Sequence, residues 1–285
     1  MMYDGEKMKM STENLEAMAR KLRMTIIYML YKIGLDYKGH PGPALSIADI
    51  MTCLYFKVLN IDPINPKWPN RDRFVLSKGH ACPALYAALS LRGFFDEKHL
   101  YSFRHIGSIL QGHPDMRKTP GIDMTTGSLG HGLSIGVGMA LAAKMDNKPF
   151  KTYVLLGDGE MQEGLVWEAS MAAGHYKLEN LVAIIDRNRW QSCDLVERTM
   201  NIEPLSNKLD SFNWKVVEID GHNMKEICIA LSTPHNNRPL AIIANTTKGK
   251  GVSFMEENNS WHQRPITKQE FEKAISELKG SDMNG

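Results

Sequence analysis

Apolar positions in this chain follow two periods, one helical and one of short unbroken runs. Leu15, Met18, Ala19, Leu22, Ile26, Met29, Leu30 and Ile33 recur on one helical face, and Gly34 stops the pattern. Further helices are predicted over about residues 46–59 and from near Pro83 to near Gly93. Between them Phe74-Val75-Leu76 reads as a strand feeding the polar run Ser77-Lys78-Gly79-His80. Residues 125–145 form a glycine-rich loop entering a helix of small residues, where backbone can approach a neighbour closely. The runs 153–156 and 181–185 stop at Gly157-Asp158-Gly159 and Asp186-Arg187-Asn188, as buried parallel strands stop at a sheet edge. A helical pattern over 160–175 joins them.

Later segments continue the alternation: a strand at about 215–219, a helix at about 224–231, a strand at about 240–245, a loop over 252–265 and a terminal helix over about 267–278. Residues 1–10 are polar and expected to fray. With no internal repeat or linker-like segment, the pattern predicts a single α/β domain over 1–285: a parallel twisted sheet with helices on both faces. Ligands of such folds sit at the carboxyl edge of the sheet.

Two strand ends place Asp158 and Asn188 at that edge. Carboxylate and amide oxygens are hard ligands that suit Mg²⁺ or Ca²⁺ rather than zinc. The glycines flanking Asp158, and the free N–H groups of a helix after it, would suit an anion such as a diphosphate. The plainer alternative is a tight turn in which Asp158 caps the helix and Asn188 is an ordinary turn residue. These residues alone leave both open.

Composition narrows the setting. At 43% hydrophobic and 23% charged residues with a net charge of +2, the chain argues against nucleic acid or a membrane surface as its main partner. It shows no signal-peptide pattern and no 18-residue apolar run, which predicts a cytoplasmic protein. Cys53, Cys82, Cys193 and Cys228 are too scattered for a zinc site or a disulfide framework and read as reduced thiols. Four histidines, His40, His80, His113 and His262, stand beside Gly, Pro or Trp in loops. Singly, such residues are more often structural; together they offer imidazoles for moving protons and donating to hydroxyl and phosphate oxygens.

The spacing GDG, 28 residues, then Asn188 resembles the thiamin diphosphate motif, and GDGEMQEGLVWEA resembles transketolases in particular. GHPGPA, SKGHA, TTGSLGHG, QGHPD and SWH are similar to transketolase loops. The resemblance runs from Gly39 to His262, nearly the whole chain. It implies that Asp158, Asn188 and the Trp190 carbonyl bind Mg²⁺, with Ca²⁺ or Mn²⁺ able to substitute. It further implies that His40, His80, Gly127, Leu129, Gly159, Glu160 and His262 contact thiamin diphosphate. His40, His113 and His262 would act on the sugar, and Glu163 would lie at a subunit interface. Three positions depart from the common pattern: Trp190, His131 and Asn245.

A full transketolase is considerably longer, and only 23 residues follow His262. The expectation is therefore the N-terminal subunit of a split transketolase, working on sugar phosphates in an α2β2 heterotetramer. A separate C-terminal subunit would supply the pyrimidine-binding and C-terminal domains. A sulfonated or branched sugar is a further possibility. The rival readings are the diphosphate-binding subunit of a 2-oxo acid dehydrogenase, a nicotinamide-binding domain suggested by Gly130-His-Gly132, and a non-catalytic relative.

Overall fold

Five strands form one wholly parallel sheet in a computed structural model that describes residues 10–280. The stretch expected to fray lies, Met10 apart, outside the described residues. The strands are β1 (Arg73–Leu76), β2 (Thr152–Gly157), β3 (Leu181–Arg187), β4 (Lys215–Asp220) and β5 (Leu240–Asn245), in spatial order β1-β2-β3-β5-β4. Every residue of β2 is buried, as is β3 up to Asp186, which explains why both read as continuous apolar runs instead of alternating ones.

Successive side chains of a strand still point to opposite faces, and they divide the core in two. Tyr153, Leu155, Val182, Ile184, Leu240 and Ile242 face one cluster. This side is covered by α1 (Thr12–Lys32), α3 (Ala48–Cys53), α4 (Cys82–Leu91), α9 (Met224–Leu231) and α10 (Lys268–Gly280), with α2 (Pro41–Ser46) at its edge. Val154, Leu156, Ala183, Ile185, Ala241 and Ile243 face the other cluster. Here the cover is α5 (His131–Met145), α6 (Gly164–His175) and α8 (Leu205–Ser211), while α7 (Val196–Thr199) is a single turn. The helices thus lie on both faces, as the alternation predicts.

Two predicted helices are broken. The 46–59 segment is not one helix: α2 ends at Ser46, α3 ends at Cys53, and Leu54–Val58 widens into a π-helical turn. The 160–175 segment begins as a 3-10 turn, Gly159–Gln162, and α6 starts only at Gly164 because Glu163 has extended backbone. The N–H groups following Asp158 consequently belong to that turn, not to the helix. The 252–265 loop holds another 3-10 turn, Asn259–Trp261. Helices α7 and α8 carry no strong sequence signal, and the periodicity does not predict them.

One approach to the site depends on missing side chains. Gly130 adopts φ 83° just before α5, and a Cβ on Gly132 would stand 2.3 Å from Ser77 Cβ. The glycines let α5 begin directly against the end of β1, where the Gly132 N–H donates to Ser77 Oγ at 3.1 Å.

α5 and α6 pack against each other beneath β2, yet both are apolar around most of their circumference. No charged residue lies between His131 and Lys144. Leu165 and Met171 of α6 are exposed, and a Cβ on Gly138 of α5 would meet open space. A helix apolar all round is ordinarily covered on every side.

Candidate functional site

The carboxyl edge of the sheet gathers polar groups from four strand ends. Asp158, directly after β2, is 2% exposed. Its Oδ1 accepts the Gly159 N–H at 2.8 Å and its Oδ2 the Arg189 N–H at 2.5 Å. Burial, then the neighbouring Asp186 carboxylate, push the Asp158 carboxyl up to about 7, against those two N–H groups and Lys78. The side chain sits in a place built for a carboxylate but short of positive charge.

Asp186 at the end of β3 is the opposite case. It is fully buried and receives Lys78 Nζ at 2.5 Å, Ser46 Oγ at 2.8 Å and Asn188 Nδ2 at 2.7 Å on Oδ2, and Thr246 Oγ1 at 2.5 Å on Oδ1. Burial alone would push it up, but the Lys78 ammonium and these donors hold it below the usual carboxylate range. A carboxylate only accepts, so Asn188 must turn its NH₂ toward Asp186 and its Oδ1 the other way. There Oδ1 accepts the Trp190 N–H at 3.0 Å. Asp186 therefore aims the Asn188 oxygen, as outer groups aim metal ligands.

Glu160 joins three segments. Its Oε1 accepts from Ser77 Oγ and from the Gly130 N–H at 2.8 Å, and its Oε2 accepts the Gly157 N–H at 3.1 Å. Burial raises it while those donors pull it down. A cavity of about 890 Å³ opens onto Asp158, Asn188 and Trp190 and continues past Asn245 and Thr246. The Asn245 amide there is engaged by Arg187 Nη1 at 3.1 Å.

Three of the four histidines form a triangle of rings, with centroids 5.2 Å (His40–His80), 5.4 Å (His40–His262) and 5.5 Å (His80–His262) apart. His40 precedes α2, His80 lies in the 3-10 turn Gly79–Ala81, and His262 follows Asn259–Trp261. The Gly39–Arg264 bridge draws the first and last loops together. His113 is the most open of the four; it lies beside Gly127, whose Cβ would stand 3.4 Å from its ring, and close enough to act on His40 and His80. Burial, then the competing ring of His262 and the Arg104 guanidinium, lower His40 to about 3; burial, then Lys248, lower His262 to about 4. His80 is held well below its ordinary value chiefly by burial. His113 is lowered by partial desolvation and Arg104. The cluster is thus neutral at physiological pH, each ring both a donor and an acceptor.

No sequence motif singles out Lys248. It is 1% exposed, and its Nζ donates to the Gln191 carbonyl at 3.0 Å, Asn259 Oδ1 at 2.7 Å and His262 Nδ1 at 3.0 Å. Because an ammonium only donates, Nδ1 of His262 is the acceptor and the ring proton resides on Nε2. Burial, then the Lys78 charge, bring Lys248 down to about 8. Lys78, Asp186 and Thr246 likewise acquire their roles only in the fold. The one available signal is that each follows or ends a predicted strand at the carboxyl edge.

The depressed histidines make a testable contribution to stability. An imidazole whose pKa is lowered by folding binds its proton first in the unfolded chain, so stability present above about pH 6.5 is lost as pH falls toward 4. His40→Asn should make that loss shallower by up to roughly 1.4 kcal/mol per pH unit, the share of one proton. Urea midpoints measured from pH 6.5 to 4.5 would show it, and an unchanged slope would contradict a neutral buried His40.

Residues 16–282 match the family described as "Transketolase, thiamine diphosphate binding domain". The chain belongs to the transketolase family. Among transketolase relatives it is 45% identical over 271 residues to a subunit of the apulose-4-phosphate transketolase of Phocaeicola vulgatus, covering 94% of this chain and 95% of that protein. It is also 45% identical over 267 residues to the 6-deoxy-6-sulfo-D-fructose transketolase subunit SqwG of Clostridium sp., covering 93% and 96%. The transketolase structure from Campylobacter jejuni superposes with a TM-score of 0.88 at 35% identity, over 95% of this chain but 43% of that one. The chain thus spans nearly all of two subunit-type transketolases and less than half of the longer form.

The transketolase site residues read from sequence fall into two groups. Asp158, Asn188 and Trp190 share one edge of the cavity, with the Gly159 N–H on Asp158, and His40, His80 and His262 share the ring cluster, with His113 and Gly127 beside it. Leu129 and Glu163 are exposed, on the side where α5 and α6 begin.

Proposed function

We propose that this chain is the diphosphate- and metal-binding subunit of a two-chain transketolase, transferring a two-carbon ketol unit from a ketose to an aldose. The observation that carries the reading is Asp158: a buried carboxylate lacking compensating charge, beside an asparagine oxygen aimed by Asp186. Hard oxygen donors short of positive charge fit a divalent cation, Mg²⁺ by preference, with Ca²⁺ or Mn²⁺ as substitutes. Asp158, Asn188 and the Trp190 carbonyl would hold it, and His80 and Gly159 would meet the diphosphate. Thiamin diphosphate, when bound, supplies a stabilised carbanion equivalent for breaking and making the carbon–carbon bond.

The chain's own residues position and move protons. His262, with its proton fixed on Nε2 by Lys248, donates to a substrate oxygen, and the neutral His40 and His113 accept or return protons from sugar hydroxyls. Glu160, committed to Ser77, Gly130 and Gly157, shapes the wall of the site. The exposed apolar faces of α5 and α6, with Glu163 at their edge, fit a subunit contact, and the assembly we favour is an α2β2 heterotetramer in the cytoplasm. The partner chain brings the pyrimidine-binding and C-terminal domains, so the finished site lies between polypeptides.

The default substrates are sugar phosphates. A branched or sulfonated sugar is the second reading, favoured by the names of the two similar subunits. The first experiment is reconstitution with the C-terminal subunit from the same genome, assaying two-carbon transfer with xylulose 5-phosphate, a branched ketose phosphate and a sulfonated ketose. Turnover is expected from the mixture and not from either chain. Robust turnover by this chain alone would overturn the two-chain reading.

A further inference from the structure

Cys53 in α3 and Cys228 in α9 are 175 positions apart, yet their Sγ atoms lie 3.0 Å from each other. Both are free thiols. Forming a bond requires the sulfurs to close by only about 1 Å, to the ~2.05 Å of a disulfide.

The two helices are held in register by an independent contact. Asp49, one turn before Cys53 on α3, accepts from Nδ1 of His222 at 2.8 Å, just ahead of α9. Nε2 of the same ring accepts the Thr247 N–H at 2.8 Å, and Arg23 of α1 donates to both Asp49 oxygens. The thiols are therefore kept together by a buried network that does not involve sulfur.

Their surroundings differ. Cys228 is half-buried and lines a cavity of about 580 Å³ with Lys57, Tyr153 and Ser232, whereas Cys53 is fully buried. Contact with the Cys53 thiol, then the Lys57 ammonium, favour the Cys228 thiolate, while contact with Cys228 and burial push Cys53 up. One sulfur is accessible and readily ionised, and the other waits protonated behind it, the arrangement of an attacking and a resolving thiol.

We propose that Cys228 and Cys53 form a reversible intramolecular disulfide on reaction with a hydroperoxide. The Cys228 thiolate attacks the terminal peroxide oxygen, the O–O bond breaks, and the departing oxygen takes a proton to leave as alcohol or water. Cys228 is then a sulfenic acid. The Cys53 sulfur attacks it, the S–S bond forms as the S–O bond breaks, and the released hydroxide takes the Cys53 proton to leave as water. Two thiols lose two electrons and two protons, and the peroxide is reduced by the same amount. A dithiol reductant reverses the bond by exchange.

Cys193 and Cys82 are internal controls: Cys193 is exposed beside Ser192, and Cys82 is buried with its Sγ donating to the Gly112 carbonyl at 3.3 Å. The test is to treat the full chain with hydrogen peroxide, alkylate after denaturation, and map the peptides by mass. The count of alkylatable thiols should fall from four to two, with a single cross-linked peptide joining 53 to 228 and full recovery on adding dithiothreitol. Cys228→Ser should prevent the cross-link, and Cys53→Ser should instead leave sulfenic or sulfinic acid on Cys228. Sulfinic acid on Cys228 of the unmodified sequence with Cys53 still alkylatable would overturn the proposal, as would oxidation confined to Cys193.

Discussion

Replacing Asp158 by Asn should make the cofactor-free chain more stable at pH 7.5 while abolishing metal-dependent binding of thiamin diphosphate by the assembled enzyme. The sign follows from the raised carboxyl. In the unfolded chain Asp158 ionises near its ordinary value of 3.8, and in the fold only at about 7. Between these values the native state holds a proton that the unfolded state has lost, so raising the pH through this window removes stability. A gap of about three pH units corresponds to roughly 4 kcal/mol once the group is ionised. Asn avoids that cost but leaves one of the Gly159 and Arg189 N–H groups facing an NH₂, a penalty of about 1–3 kcal/mol. The expected net gain is about 1–3 kcal/mol by the same balance at pH 7.5, fading by pH 5. Urea unfolding without metal at the two pH values checks it; a difference between variant and parent that does not change with pH would show that Asp158 is not a strained carboxylate. Adding Mg²⁺ with thiamin diphosphate should reverse the order, because the ions that stabilise the parent have lost their ligand.

Lys78→Met should be among the most destabilising single changes in the chain. It leaves the fully buried Asp186 without its cation, and breaking a buried pair from one side costs about 3–5 kcal/mol, a large share of the roughly 5–15 kcal/mol typical of a domain. The double variant Lys78→Met/Asp186→Leu removes both charges and should recover much of the loss. It should not recover cofactor binding, since Asn188 then has no carboxylate to set the direction of its oxygen. Denaturant midpoints together with a cofactor titration of the complex separate the two effects. Lys78→Met within about 1 kcal/mol of the parent would mean that Asp186 is not ionised in the fold.

The pairing of Lys78 with Asp186 marks the boundary of what the sequence makes legible. Strands such as 240–245 and helices such as 224–231 are readable to the residue because local hydrophobic periodicity and end signals decide them. Asp158 and Asn188 are readable as candidate oxygen donors because glycines isolate the first and a strand end isolates the second. The charges behind them are not. Lys78 and Asp186 each look like ordinary polar residues at a strand end, and nothing local says that 108 positions later the two will share a hydrogen bond. Lys248 is hidden in the same way among the lysines and glycines of its loop. The break between Gly159–Gln162 and α6 also has a long-range cause: Glu160 is held by Ser77 and Gly130, which local helical periodicity cannot register. The scattered cysteines show the same limit, since spacing alone cannot reveal that Cys53 and Cys228 touch.

Glu160 and Asp186 also bear on the order in which the molecule comes together. Glu160 closes chain separations of 83 and 30 residues to Ser77 and Gly130, and Asp186 closes separations of 140, 108 and 60 to Ser46, Lys78 and Thr246. Contacts of such long range are slow to form and arrive after local structure. An incompletely folded chain can therefore present GDG and Asn188 without an aimed oxygen or a finished wall. On the proposed metal-binding reading, cation uptake should follow the closing of these contacts and so report completed folding.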